Sequence, residues 1–219
     1  MEDIEAIVAL QDPVRRRLYE YVAAQDHDVS RNEAAESAGI QRTLAAFHLD
    51  KLVDAGLLAT ESRRLTSRTG PGAGRPAKLY RRSGAEHHVS VPARDYRTAA
   101  DLLAEVADGA RLDAELRAAA AREGQAARAA AGAVKDLDAV RAVLAERGYE
   151  PRTDEGGAVL RLVNCPFHVL AERHPALICG MNLALLESLI EDADGLRARM
   201  DPRPGLCCVA VEASKNNDD

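Results

Sequence analysis

Residues 12–82 carry a run of start and stop signals that constrains this chain more than any other feature. Asp12-Pro13 sets a capping carboxylate ahead of a proline at the first helical position. Val14, Leu18, Tyr21 and Val22 then recur at helical spacing. Ser30 opens a second helix with Glu33 in capping-box position, and Gly39 is its expected stop. A third helix is expected over 41–55, with Leu44, Leu49 and Leu52 facing inward and Gly56 ending it. The pattern then switches to Leu57-Leu58-Ala59-Thr60, a basic stretch, the turn-rich Thr69-Gly70-Pro71-Gly72-Ala73-Gly74-Arg75-Pro76, and Ala77-Lys78-Leu79-Tyr80-Arg81. That is a β-hairpin with its return strand. Three helices, a short Gly39-Ile40 turn between the last two, and a hairpin follow the order of a winged helix-turn-helix.

Charge divides along the chain in the same place. The net charge is −6, yet residues 1–82 carry 13 Lys+Arg against 12 Asp+Glu. Residues 83–219 carry 16 against 23. Within 63–82 stand Arg63, Arg64, Arg68, Arg75, Lys78, Arg81 and Arg82 with no acid among them. Because salt limits the reach of a distant charge to about 8–10 Å, such a patch can bind phosphates on an acidic protein. The other reading of the same residues is a solvated basic loop.

Aromatics make up only 3% of the residues and tryptophan is absent, so the cores must be aliphatic. No run approaches the roughly 18 apolar residues that cross a bilayer. The acidic Met1-Glu2-Asp3-Ile4-Glu5 is unlike a secretory leader. The expectation is a cytoplasmic protein without membrane association, in which clustered thiols signal metal or redox chemistry more often than structural disulfides.

Residues 94–147 are rich in alanine and strongly helix-forming, with Gly109, Gly124 and Gly132 dividing them into two or three helices. Leu102, Leu103, Val106, Leu112 and Leu116 form an apolar stripe, fit to bury against a second chain or against this chain's own C-terminal part. Beyond Gly148 the pattern predicts strands over 149–153 and 158–163 around an Asp154-Glu155-Gly156-Gly157 turn, and a short helix or loop over 166–174. A helix over 177–192 and a last strand over 207–211 complete a small α/β domain. The fold expected is α+β: a winged helix-turn-helix over 1–84, a helical linker or dimerisation region over 85–147, and a sensor domain over 148–219.

Two groups of residues carry candidate chemistry. In a helix-turn-helix the start of the third helix faces the major groove. Gln41, Arg42 and Thr43, with Ala46 a turn on, are therefore the candidate base contacts, Arg42 suiting guanine and Gln41 adenine. His48 is placed against the DNA backbone or under the hairpin, and Phe47 in the core. Arg63, Arg64, Arg68, Arg75 and Lys78 are candidate phosphate contacts, Arg75 also suiting a minor groove. The second group is the four cysteines, Cys165, Cys179, Cys207 and Cys208, all in the last quarter of the chain. Their spacing lacks the CxxC pair of a zinc ribbon. Cys165 and His168 form a Cys-x-x-His unit, and Cys179 is expected to open a helix whose dipole favours its thiolate. Three thiolates from three elements can converge on one iron–sulfur cluster; buried, inert cysteines are the alternative.

Three stretches carry a resemblance. Arg42-Thr43-Leu44-Ala45-Ala46-Phe47-His48-Leu49-Asp50-Lys51-Leu52, ending Ala55-Gly56-Leu57-Leu58, resembles the recognition helix of ArsR/DeoR-type winged-helix regulators. Gly74-Arg75-Pro76-Ala77-Lys78-Leu79-Tyr80 resembles their wing. Asn164-Cys165-Pro166-Phe167-His168, with Cys179 and then Cys207-Cys208, resembles the SufR-like branch of iron–sulfur repressors. The resemblance implies a homodimer on a palindromic double-stranded DNA operator, with a cluster held by Cys165, Cys179 and Cys207. Loss or oxidation of the cluster would then alter the spacing of the two DNA-reading domains. This sequence departs from the pattern in His168 and Cys208, which are additional possible ligands. A structural zinc held by Cys165, His168, Cys179 and Cys207, or a small organic ligand in the same domain, are the alternatives within a regulator. A thiol oxidoreductase built on Cys165 and His168 is the remote one, since no triad spacing or phosphate loop is present; the expectation is not an enzyme.

Overall fold

In the computed structural model, which describes residues 2–63, 76–132, 134–154 and 156–213, the start and stop signals act where local chemistry requires. The described residues form nine helices and two antiparallel sheets, an α+β architecture. The chain divides into two units, Met1–Arg94 and Asp95–Asp219.

In the first unit α1 (Glu2–Ala9) precedes α2 (Pro13–Ala24), whose opening amides Val14 and Arg15 donate to the Asp12 carboxylate at 2.8 and 3.1 Å. A two-residue strand β1 (Val29–Ser30) runs into α3 (Arg31–Ala38) through a complete capping box between Ser30 and Glu33. Helix α4 (Arg42–Asp54) follows. Gly39 and Gly56, at φ 64° and 74°, end α3 and α4 in the same way. The left-handed glycine lets the next amide turn back onto the last helical turn: Ile40 N–H donates to the Ala35 carbonyl and Leu57 N–H to that of Leu52, both at 3.0 Å. Strands β2 (Leu58–Arg63) and β3 (Ala77–Arg82) pair from Leu58↔Arg82 to Arg63↔Ala77, and β1 adds to the other edge of β3 through Val29↔Tyr80. The expected hairpin tip falls almost wholly within 64–75, outside the described residues.

Leu18, Val22, Val29, Leu49, Leu52 and Tyr80 fill the core of this unit and are fully buried. Leu44, expected inward, is exposed instead. The buried face of α4 runs through Ala45, His48, Leu49 and Leu52, and at about 100° per residue Leu44 falls outside that stripe.

The second unit contains α5 (Tyr96–Gly109), α6 (Asp113–Ala131), α7 (Leu137–Glu146), β4 (Pro151–Thr153), β5 (Val159–Leu162), α8 (His168–Arg173), α9 (Pro175–Leu189), β6 (Leu196–Met200) and β7 (Val209–Ala213). The sheet runs β4-β5-β7-β6, antiparallel throughout. Val140, Leu144, Leu160, Leu162, Leu186, Leu189, Val209 and Val211 make its aliphatic core. Gly109 closes α5 and Gly132 follows α6, but Gly124 divides nothing. It lies buried within α6, where α9 comes so close that an added Cβ would overlap the Leu185 carbonyl oxygen. Strand β6 has no counterpart in the sequence expectations, and β7 starts at Val209, so Cys207 and Cys208 precede the strand rather than open it. No helix among the described residues is long and apolar enough to cross a membrane.

Candidate functional site

The first candidate surface is the start of α4 together with the hairpin. Gln41 is the N-cap residue of α4, and its side chain, with those of Arg42 and Thr43, is exposed; Ala46 is half-buried. Phe47 and His48 exchange the places expected of them. Phe47 is 56% exposed, while His48 is 8% exposed because it shares the inward face of Ala45, Leu49 and Leu52. His48 is thus packed inside the unit rather than turned toward a nucleic-acid backbone. Arg63 ends β2 exposed and pairs loosely with Asp28 at 3.7 Å. Arg64, Arg68 and Arg75 lie outside the described residues.

Lys78 is not a free cation. Its Nζ donates to Asp50 Oδ1 at 2.8 Å. The fully buried Tyr80 donates its hydroxyl to the same oxygen at 2.7 Å, and Arg31 Nε donates to that hydroxyl at 2.8 Å. Arg31 also pairs with the Asp50 carboxylate at 3.3 Å. One carboxylate on α4 thereby ties together α3 and the face of β3 that carries Lys78 and Tyr80. Burial and the Asp50 charge push the Tyr80 phenol up to about 12. Burial works against the Asp50 carboxylate, but the bonds from Lys78 and Tyr80 prevail and hold it below the usual range.

The second candidate site is the thiol group. All four cysteines are free, and they come from three places: Cys165 from the segment between β5 and α8, Cys179 from α9, Cys207 and Cys208 from the segment ahead of β7. They meet as two pairs. The Cys165 and Cys207 thiols are hydrogen-bonding neighbours, as are those of Cys179 and Cys208, and Cys165 lies within electrostatic range of Cys179 and Cys208. Each pair joins a buried sulfur, Cys207 or Cys179, to a half-buried one. The bond from Cys207 holds Cys165 below the usual thiol range, while the same bond and burial push Cys207 upward. Cys179 departs from expectation. It is the fifth residue of α9, past the helix opening at Pro175, and burial beside Cys208 pushes it up to about 12.

Sequence reasoning missed the polar groups behind Cys207. Asn182 is 2% exposed on the apolar face of α9; its Nδ2 donates to Cys207 Sγ at 3.3 Å, and its Oδ1 accepts from the Tyr149 hydroxyl at 2.5 Å. The Val209 backbone N–H is a second donor to the Cys207 sulfur, and the Phe167 N–H donates to that of Cys165. An asparagine interrupting the stripe of Ile178, Leu185, Leu186 and Leu189 was the available signal. His168 is not brought to the thiols: its ring is exposed and pairs with Glu172 one turn along α8 at 3.2 Å.

Among the described residues no three His, Cys, Asp or Glu side chains converge tightly enough to hold a single metal ion. A tetrahedral zinc site needs four donors around one point, and with His168 turned away the set Cys165, His168, Cys179 and Cys207 is not assembled. A cluster spreads its thiolate ligands over more than one iron, so they need not converge on a single point as the ligands of one ion must. The donor chemistry fits such a group: thiols without interspersed carboxylates, and N–H groups directed at two of the sulfurs. No protein-family model, curated protein or solved structure matches this chain.

Proposed function

We propose that this chain is a DNA-binding transcription regulator, a winged helix-turn-helix repressor whose operator binding is controlled by an iron–sulfur cluster held by Cys165, Cys179 and Cys207. The observation that carries the reading is the gathering of four free thiols, up to 43 positions apart in sequence, in one unit. The other unit exposes the start of α4 beside a basic hairpin. Gln41, Arg42 and Thr43 are free to meet base edges, while the arginines of the hairpin suit phosphate. Asp50 sets the hairpin against α4 through Tyr80 and Lys78, so the two DNA-facing elements act as one piece.

The partner chain is a second copy. On α5 and its C-cap, Tyr96, Ala99, Leu103, Val106 and Ala110 recur at alternating spacings of three and four, the pattern of a two-helix seam. This face is turned away from the buried Ala104, and Leu103 and Val106 are 72% and 67% exposed. A two-fold dimer matches a palindromic operator, with recognition helices spaced for half-sites about one DNA turn apart.

A bound cluster supplies an oxidant-labile, redox-active centre. The chain's own part is to hold the thiols on elements that communicate with the seam. Cys179 sits on α9, which lies along α6, and α8 packs on both α9 and α5. His174, just ahead of α9, reaches Asp108 of α5 at 3.2 Å.

The test is anaerobic purification with visible absorbance and iron and sulfide analysis, followed by selection of DNA from a random library. Visible absorbance with matching iron and sulfide, and selected palindromic DNA whose binding changes on cluster removal, are the expected results. A Cys165→Ser/Cys179→Ser double variant that binds the same DNA equally under reducing and oxidising conditions refutes the sensor half. Failure to select any DNA refutes the whole.

A further inference from the structure

We infer that Asn182, oriented by Tyr149, is the positioning residue that makes Cys207 rather than Cys208 the third sulfur of the thiol site. The inference rests on the cluster reading above and deepens it. Adjacent cysteines present the chain with two sulfurs for one role, and only one of them has a built setting. Cys207 is 6% exposed and its sulfur accepts from the Asn182 amide at 3.3 Å. Its own amide donates to the Leu162 carbonyl at 2.9 Å, which ties the residue to the end of β5 and so toward Cys165. Cys208 is half-buried, its thiol lies against that of Cys179, and its carbonyl accepts from Asp201 N–H at 2.7 Å.

The orientation of Asn182 is determined by Tyr149. A buried primary amide can present either its oxygen or its nitrogen to a neighbour, and a sulfur that carries negative charge requires the nitrogen. The Tyr149 hydroxyl donates to Oδ1 at 2.5 Å, which occupies the oxygen and leaves the NH₂ facing Cys207. Tyr149 is itself 3% exposed and packed in the core, so this arrangement does not relax into water. Hydrogen bonds to ligand sulfurs are among the levers that set cluster potential. Groups one step behind a ligand commonly affect metal affinity by about 10–100-fold.

A merely structural Tyr149–Asn182 pair would account for burial and the short bond, so the test must separate the two roles. Removing one partner strands a buried polar group, but replacing both with apolar groups of similar shape is close to neutral for folding. The decisive variant is therefore Tyr149→Phe/Asn182→Leu, with Tyr149→Phe as the companion that keeps the amide but frees its orientation. Each is reconstituted with iron and sulfide, and cluster retention against a chelator and midpoint potential are measured alongside thermal stability. The metal-free, reduced proteins are labelled with iodoacetamide and the ratio of Cys207 to Cys208 modification read by peptide mass spectrometry.

The expected result is a double variant that melts close to wild type, loses its cluster about 10-fold faster, has a lower midpoint potential, and labels Cys207 at a rate closer to that of Cys208. Tyr149→Phe is expected to shift in the same directions by less. Unchanged retention, potential and labelling ratio in a folded double variant overturn the inference. If the wild-type protein takes up no cluster, the cluster reading falls, and the labelling ratio still decides whether Asn182 positions Cys207.

Discussion

Replacing Gly124 by alanine reverses the usual sign of a helix-interior substitution. In an exposed helix, Gly→Ala stabilises by about 1 kcal/mol because alanine loses less backbone freedom. At position 124 the added methyl would overlap the Leu185 carbonyl oxygen and stand 2.9 Å from Ser188 Cβ and 3.1 Å from the Leu189 nitrogen. Two of these three atoms are α9 backbone, so no side-chain rotation relieves the crowding and α9 itself must shift. Overpacking typically costs about 1–3 kcal/mol, and contact with backbone belongs at the upper end. Subtracting the propensity gain leaves a net loss of about 2 kcal/mol, a fall in Tm of roughly 4–8 °C for a chain of this size. Differential scanning calorimetry of Gly124→Ala measures it. Gly109→Ala is the control, since nothing lies within 4 Å of a Cβ built there, and it is expected to melt at or above wild type. A Gly124→Ala protein as stable as wild type would refute the close approach of α6 and α9.

Three further outcomes are expected. Asp50→Ala takes the acceptor from the buried Tyr80 hydroxyl and frees Lys78, while Arg31 keeps its bond to Tyr80; because Asp50 is partly exposed, the loss is about 1–2 kcal/mol in urea unfolding, and the Tyr80 phenol titrates below its wild-type value of about 12. Leu103→Glu/Val106→Glu places charge on the proposed α5 seam; if two copies pair there as proposed, the wild type scatters light as a dimer and the variant as a folded monomer, and an unchanged dimer excludes that seam. The His27–Glu33 pair, 2.8 Å apart, gives a pH window: its bonds to Glu33 and Asp26 raise His27 above 6.5, so its contribution is complete below that pH and lost as pH rises through the raised value. Glu33 is held below 4.5, chiefly by His27 against the opposing effect of burial, so its contribution is present above 4.5 and lost on further acidification. His27→Gln is expected to flatten the decline of stability above pH 6.5, read from urea midpoints across pH.

What was legible in the sequence was what is decided within a few residues. Asp12, Ser30 with Glu33, Gly39 and Gly56 act through bonds to amides and carbonyls no more than about one turn away, so type and spacing suffice. Gly124 has the look of a helix breaker, but its reason is a second helix some 60 positions later. The position of Cys179 suggests an activated thiol at a helix start, whereas Pro175 starts α9 a turn earlier and the residue is buried. Strand β6 was legible in principle, since Leu196, Ala198 and Met200 alternate with Arg197 and Arg199; what only the sheet sets is that both arginines pair with Glu212 of β7. The Asn182–Cys207 bond joins residues 25 apart, and only the fold brings them together.

If the hairpin meets DNA as proposed, the bond between Lys78 and Asp50 also bears on how many ions that encounter releases. A cation that meets phosphate displaces condensed counterions from the duplex, and the steepness of affinity against salt counts such cations. Lys78 already has a carboxylate at 2.8 Å, and taking it to phosphate would leave Asp50 beside a polyanion with one partner fewer. The slope for this protein should therefore fall short of the number of lysines and arginines along its hairpin. The missing charge is held by Asp50 at the surface, where the pair keeps the hairpin standing against α4.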